Sequence, residues 1–266
     1  MTPEQHREEA LRLEQAKRTR KQIRMISLRH PDMTIADAYA VQNAWREREV
    51  AGGRRIIGHK IGLTSKAMQA AVGIREPDSG YLTDDMLFPD GGVVPAEDFI
   101  GLRIEAELAF VLRTPLSGAG LTIDDVLDAT DWVTPALEIL DTRIFRVDPE
   151  TRKTRTVRDT ISDNAANAGL VLGGREIAPR ACDLRWVGAV CARNGEIEET
   201  GLAAGVLGHP ATGVAWLAAR MAENGQELQA GQIVLAGSFI RPIEIGRGDA
   251  IVADYGQHGK VRIAFQ

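Results

Sequence analysis

Arg103-Ile104-Glu105-Ala106-Glu107-Leu108-Ala109-Phe110-Val111 is the stretch whose reading decides the fold and the chemistry of this chain. Ile104, Ala106, Leu108 and Phe110 alternate with Glu105 and Glu107, the period-two pattern of a β-strand. The glutamate face is not an ordinary wet face, because Ala109 and Val111 continue it. Two carboxylates side by side on a partly buried face repel each other and lose hydration. A bound cation removes both penalties. A second apolar segment, Pro135-Ala136-Leu137-Glu138-Ile139-Leu140-Asp141, offers Glu138 as a third carboxylate. Three carboxylates and no soft ligand suit a hard, oxygen-preferring ion such as Mg²⁺. Taken alone, Glu-x-Glu on a strand is more often a solvated face, so the metal reading depends on what accompanies it.

The 266 residues can bury a substantial core, as one large domain or one domain with an N-terminal extension. The formal net charge of −5 argues against nucleic acid as the main partner. Cys182 and Cys191 fit neither a zinc spacing nor a disulfide framework. The start is charged from Glu4 onward, without an apolar signal core, and no apolar run approaches membrane-spanning length. A cytoplasmic protein without a membrane partner is expected.

Residues 1–54 read as an N-terminal helical region. The pattern predicts a charged helix from about Pro3 to Leu28, its basic run at 17–21 lying on a solvated face. Thr34-Ile35-Ala36-Asp37 resembles a capping box and opens a second helix. Tyr39, Val41, Trp45 and Val50 are its apolar residues, and Gly52-Gly53 stops it. Residues 55–266 change character, and the whole reads as one continuous domain. Arg55–Leu63 reads as a strand, after which Ser65 caps a short helix to about Ala71. From Met86 onward short strands alternate with turns, Asn194-Gly195 being a strong hairpin signal. One helix, with Pro210 at its first position and Asn224-Gly225 at its end, interrupts them. Many short strands with few helices favour a closed or rolled β-structure, and no dinucleotide-binding or P-loop glycine pattern is present.

Lys60 shares a strand face with Gly58 and Gly62, which leaves room for a ligand beside the ammonium. An exposed edge-strand lysine is the plainer explanation. Asp78, in the turn-rich Glu76-Pro77-Asp78-Ser79-Gly80, is either a turn former or a general acid or base. Arg158 to Asn167 is the densest polar cluster, which capping and Asx turns explain in large part. Gly237-Ser238 either presents N–H groups and a hydroxyl to a ligand or simply ends a strand. Arg143, Arg146, Arg152, Lys153, Arg155 and Arg158 form a local positive excess. It reads as a solvated loop or as an anion-capturing rim. His209 reads as structural, and no Gly-x-Ser-x-Gly elbow supports a serine triad.

Gly58-His59-Lys60-Ile61-Gly62-Leu63-Thr64-Ser65, Glu76-Pro77-Asp78, Ile104–Ala109, Pro135–Glu138 and Asp159–Ala165, in that order, resemble one family. It is the hydratase/decarboxylase family of aromatic meta-cleavage pathways, within the fumarylacetoacetate hydrolase superfamily. The resemblance covers essentially the whole chain. It implies an α+β fold, a mixed β-roll core behind the N-terminal helices. It implies Mg²⁺ or Mn²⁺ held by Glu105, Glu107 and Glu138, with Lys60 and Asp78 as catalytic residues lining the site. Ser162 and Asn164 fall in a motif near the substrate. The superfamily's hydrolases use a His/Glu pair to activate water, and its absence here favours hydration over hydrolysis. The implied substrate is a small 2-oxo dicarboxylate of seven carbons in aromatic catabolism, with Arg152, Arg155 and Arg158 as candidates for its distal carboxylate. A monoacid hydratase, a 2-oxo diacid decarboxylase, an acylpyruvate hydrolase and a scaffold subunit for a related enzyme are the alternatives. A homo-oligomer, pentamer or decamer, and association with a pathway decarboxylase or aldolase are the expected partners.

Overall fold

A computed structural model describes residues 1–65, 69–70 and 74–266. Helix α1 (Pro3–Thr19) starts at a Thr2/Gln5 capping box and ends at Arg20, whose φ of 53° is left-handed. The helix predicted to run to Leu28 therefore stops earlier. The chain turns extended so that Ile23 N–H donates to the Arg143 carbonyl at 2.8 Å and its own carbonyl accepts from Phe145. A single turn, α2 (Ile26–Arg29), follows. Helix α3 (Ile35–Ala51) opens at the Thr34/Asp37 capping box and closes at Gly52, as its sequence signals. Ala38, Val41 and Trp45 are its buried face, whereas Val50 is exposed, a correction to the apolar stripe read from sequence. These helices pack on one another and on Ile144 and Ile161.

The main sheet has, among the described residues, eight strands: β1 (Ile56–Gly62), β2 (Asp78–Thr83), β3 (Leu87–Phe88), β5 (Arg103–Leu112), β6 (Thr130–Leu140), β7 (Asn167–Leu172), β10 (Ile233–Leu235) and β11 (Ile243–Glu244). Their order is β2-β1-β10-β5-β6-β7-β3, with β11 also pairing β5. The sheet is mixed, since β1 runs parallel to β10 and β3 to β7 while β5, β6 and β7 are antiparallel. A second sheet comprises β4 (Gly92–Val94), β8 (Gly188–Arg193), β9 (Glu196–Leu202), β12 (Ala250–Asp254) and β13 (Lys260–Phe265). Asn194 and Gly195 form the β8–β9 turn with φ of 54° and 87°, the paired positive values a tight hairpin needs. The β-roll expected from the resemblance is the architecture present.

Two further helices were not foreseen in the strand-rich part, α4 (Ile123–Ala129) and α5 (Val157–Ser162). Both open on capping boxes, Thr122/Asp125 and Thr156/Asp159, that are short enough to pass for turns. The foreseen one, α6 (Pro210–Ala222), carries Pro210 in its first turn. The short helix expected from Ser65 to about Ala71 falls largely outside the described residues. No helix among the described residues is long and apolar enough to cross a membrane.

Strand β5 organises the molecule. Ile104, Ala106, Leu108 and Phe110 sink into the large core shared with the second sheet, α4 and α6. Its other face begins with Arg103, Glu105 and Glu107, and continues as Ala109 and Val111 into a separate apolar cluster with Leu82, Ala136, Leu170 and Leu235. Both faces are thus covered, and the glutamates stand where apolar packing would otherwise continue.

Candidate metal centre and active site

The antiparallel register of β5 and β6 sets Glu105 directly opposite Glu138 and Glu107 opposite Ala136. Glu105, Glu107 and Glu138 then each offer an oxygen, all within 4.8 Å of one another. Glu107 and Glu138 are fully buried, and Glu105 is the half-buried member that reaches a cavity. Lys60 comes from β1, and its Nζ lies 3.3 Å from Glu138 Oε1 with the side chain almost wholly buried. It is no edge lysine: β1 is paired on both sides, by β2 and β10. Asp78 comes from the first position of β2, in register with Gly62. A Cβ at Gly62 would stand 2.3 Å from Asp78 Oδ1 and 3.1 Å from Lys60 Nζ, so glycine is required for the two charged groups to converge.

Supporting contacts fix the triad. The amide of Asn167 donates to Glu138 Oε1 at 2.8 Å, and the Gly237 backbone N–H donates to Glu107 Oε2 at 2.8 Å. Gly237 therefore both ends its strand and presents an N–H, though to a glutamate rather than outward. Tyr255, wholly buried, accepts from the Glu107 N–H at 3.1 Å and donates to the Ala136 carbonyl at 2.6 Å, pegging β5 to β6 at the position of Glu107. Asn167 and Tyr255 were not singled out from sequence. Asn167 sits at the tail of the polar cluster already noted, and Tyr255 carries no local signal.

The electrostatics are those of crowded anions. Burial, then Glu138, pushes Glu105 up to about 7, with Lys60 opposing. Burial, then Glu138 and Glu105, raises Glu107 well above the usual carboxylate range. Asp78 is raised by burial first, which Lys60 counters and Glu138 reinforces. Burial pulls the Lys60 ammonium down, but Glu138, Asp78, Glu105 and Glu107 together outweigh it and hold it above the ordinary lysine value. Six buried side-chain polar atoms lack a hydrogen-bond partner among the described residues. Five of them, Asp78 Oδ1, Arg103 Nε, Glu107 Oε1, Glu138 Oε2 and Asn167 Oδ1, belong to this region. Buried polar atoms are rarely left so. An all-oxygen donor set with orphaned, mutually repelling carboxylates fits a hard divalent cation.

The remaining residues read from sequence are placed as follows. Asn164 is buried and clamps β2, its amide exchanging two hydrogen bonds with the Tyr81 backbone at 2.9 and 3.0 Å. It opens a run of three left-handed residues, Asn164, Ala165 and Ala166, with φ of 52°, 50° and 62°. The Ser162 hydroxyl is buried and bonded to the Arg158 carbonyl of its own helix. Arg158 is held by the Met33 carbonyl at 2.7 Å, and Arg152 is exposed beside a tight turn. The structure does not bring these two to the glutamates. Arg155 is largely buried, donates to Thr142 Oγ1 at 2.6 Å, and acts electrostatically on both Asp78 and Arg103. Arg103 carries no local sequence signal beyond opening the strand. Burial, then the nearby Arg146 and Arg155, pull its guanidinium down to about 10. The cavity reached by Glu105 has a volume of about 450 Å³, with Leu63, Phe239 and Ile240 as apolar walls and Thr64 and Ser238 as polar ones. That size suits a small acid.

The sequence pattern of the fumarylacetoacetate (FAA) hydrolase C-terminal family matches residues 59–266. The chain belongs to that family. Every residue of the triad, with Lys60, Asp78, Asn167, Gly237 and Tyr255, lies inside the family-matched segment. The 2-oxo-hept-4-ene-1,7-dioate hydratase of Escherichia coli is 57% identical over 256 residues, covering 96% of each protein. The 2-keto-4-pentenoate hydratase of Paraburkholderia xenovorans is 40% identical over 266 residues, covering 100% of this chain and 97% of that one. Among solved structures, the 4-oxalocrotonate decarboxylase from Pseudomonas putida G7, complexed with magnesium and adipate, superposes with a TM-score of 0.94. It is 38% identical, over 100% of this chain and 99% of that chain. The FAA hydrolase family thus surrounds this chain with hydratases and a decarboxylase.

Proposed function

We propose that this protein is a divalent-metal-dependent hydro-lyase that adds water to 2-oxo-hept-4-ene-1,7-dioate, giving 4-hydroxy-2-oxoheptane-1,7-dioate in aromatic catabolism. The observation that carries the reading is the buried Glu105/Glu107/Glu138 triad with its orphaned oxygens. The 57% identity to a hydratase of that substrate supports the choice of acid. Glu105, Glu107 and Glu138 would hold the ion, and Mg²⁺ is preferred over Mn²⁺ because a relative's structure contains magnesium. When bound, the ion supplies Lewis-acid polarisation of a 2-oxo acid.

The chain's own groups do the rest. Lys60, kept charged by its carboxylate neighbours, pairs with the substrate's carboxylate or enolate oxygen. Asp78, whose proton affinity burial raises above the ordinary carboxylate value, moves a proton on the substrate's carbon chain. Loss of a C3 proton from 2-oxo-hept-4-ene-1,7-dioate gives its dienol; a proton added at C5, with the 2-hydroxyl proton released, leaves an α,β-unsaturated ketone, to which water adds through its hydroxyl at C4 and a proton at C3. Leu63, Phe239 and Ile240 offer apolar walls to the hydrocarbon part of the substrate. Ser162 and Asn164 act indirectly, by holding helix α5 and strand β2 around the site. Of the loop arginines, Arg155 is the one that serves the distal carboxylate. Assembly as a homo-pentamer or decamer, and association with a decarboxylase or aldolase of the same pathway, belong to the same proposal.

Loss of CO₂ is the second reading, favoured by the fold match to a decarboxylase at TM-score 0.94. An ultraviolet assay with 2-hydroxyhepta-2,4-diene-1,7-dioate and Mg²⁺, with and without EDTA, followed by mass analysis, separates them. The expected result is an EDTA-sensitive gain of one water. Loss of CO₂ moves the protein to the decarboxylase branch, and no turnover with any divalent ion refutes the enzyme reading.

A further inference from the structure

Beside the triad stand three arginines, Arg103, Arg146 and Arg155, and the acids that act on Arg103 are Glu105 and Glu244. Arg103 begins β5 two positions before Glu105, so its side chain leaves the same sheet face as Glu105 and Glu107. Arg146 and Arg155 lie close enough to act on it. Arg146 is half-exposed and its guanidinium is 3.4 Å from Glu244. Arg155 is bonded to Thr142, and its distance of 3.9 Å from Asp163 is long because that carboxylate is already committed to Arg143. Arg103 is the exception: its Nε is buried and donates to nothing among the described residues. A buried guanidinium N–H without an acceptor, next to two more guanidiniums, is costly unless an anion arrives.

We infer that Arg103, backed by Arg155, receives the distal carboxylate of the substrate and sets the preference for a dicarboxylic over a monocarboxylic 2-oxo acid. The inference rests on the hydratase reading and adds a specificity residue to it. Two strand positions separate Arg103 from Glu105, about 7 Å along the backbone. That is comparable with the length of a seven-carbon chain, which would run from the cavity past Glu105 to Arg103, a residue outside the cavity lining. A planar guanidinium with a free Nε–H can grip a carboxylate through two parallel hydrogen bonds, which a lysine cannot copy. The exposed Arg241, in contrast, is already engaged by Glu199 at 2.8 Å and offers no such vacancy in its bonding.

The test is the ratio of kcat/KM for 2-hydroxyhepta-2,4-diene-1,7-dioate to that for 2-hydroxypenta-2,4-dienoate, measured in R103Q, R103K and R155Q. R103Q should lower the ratio about 10- to 100-fold, the loss of one charge-assisted hydrogen bond. It should do so mainly through KM for the diacid. R103K should recover only part of it, and R155Q should give a smaller fall. R152Q, on the exposed side of the loop, controls for removal of any positive charge. An equal effect on both substrates overturns the inference. If wild type turns over neither substrate, the hydratase reading fails on its own. The inference is then judged by calorimetric binding of 2-oxoheptanedioate and 2-oxopentanoate in the presence of Mg²⁺. Tighter diacid binding that disappears in R103Q sustains it, and unchanged discrimination refutes it. R103K, which keeps the charge, guards against misfolding as the cause, with thermal melts of each variant as the check.

Discussion

Two clusters of buried charge lie side by side in this protein, and they are built on opposite principles. In the first, Arg143 and Asp163 are buried together and answer each other, and the one polar atom left over beside them is Nε1 of Trp45. The Asp163 carboxylate takes the Arg143 backbone N–H at 2.9 Å as well as the guanidinium. The same guanidinium donates to the carbonyls of Asp163 and Asn167 at 2.7 and 3.1 Å and stacks on Trp45 at 5.4 Å. In the second, Glu105, Glu107, Glu138 and Asp78 face the single ammonium of Lys60, and oxygens are left without partners. A closed network ties parts of a fold together; Arg143 links the helix carrying Trp45 to the loop behind β6 and the start of β7. An open network stores unmet demand for a ligand. The difference marks the second cluster as a candidate ligand site from its geometry alone.

The largest test of that contrast is stability. R143A would strip Asp163 of its partner and leave a buried charge, costing about 3–5 kcal/mol in urea unfolding. E107Q should leave the metal-free protein no less stable than wild type. It preserves the shape and the acceptor for Gly237 and removes one of the crowded charges. A large loss of stability in metal-free E107Q would erase the distinction between the clusters. Next in size is N167A, which removes the amide that orients Glu138. Outer partners of metal ligands are typically worth about 10- to 100-fold in affinity, and calorimetry with Mg²⁺ should show a loss of that order.

The smallest effect is in pH. Glu105 titrates at about 7 in the folded, metal-free chain against 4.5 when free. Its folded pKa is raised, so the stability it contributes is complete below the free value and is lost as pH rises through about 7. Mg²⁺ needs the deprotonated form, so the gain in melting temperature on adding Mg²⁺ should grow from about pH 5 to about pH 8. His59, pushed down to about 4 by burial, works in the opposite direction and destabilises the fold as pH falls below 6.5. Taking the difference with and without Mg²⁺ cancels His59. A gain independent of pH would mean that the triad's protons do not compete with the ion.

Much of the open cluster was legible in the sequence, because a strand writes its two faces as alternation. Glu105 and Glu107 interrupt an otherwise apolar face, and Glu138 interrupts an apolar run. The closed cluster was not legible. Arg143 read as one more loop arginine, since only the pairing of Ile23 with Ile144 brings its guanidinium under α3. The end of α1 was missed for the same reason: the chain leaves the helix to make that pairing. Lys60 read as a plausible edge residue because nothing local announces that β10, more than 170 positions later, pairs with β1. Arg103 and Tyr255 show the same limit, each acquiring its role from partners distant in the chain.

Calorimetric titration of Mg²⁺ into wild type and E107Q at neutral pH tests the central claim most directly. The account predicts one ion bound per chain in wild type, with proton release as Glu105 ionises, and loss of binding in E107Q by more than the ~100-fold typical of outer partners. No binding in wild type, or equal binding in both, would contradict it.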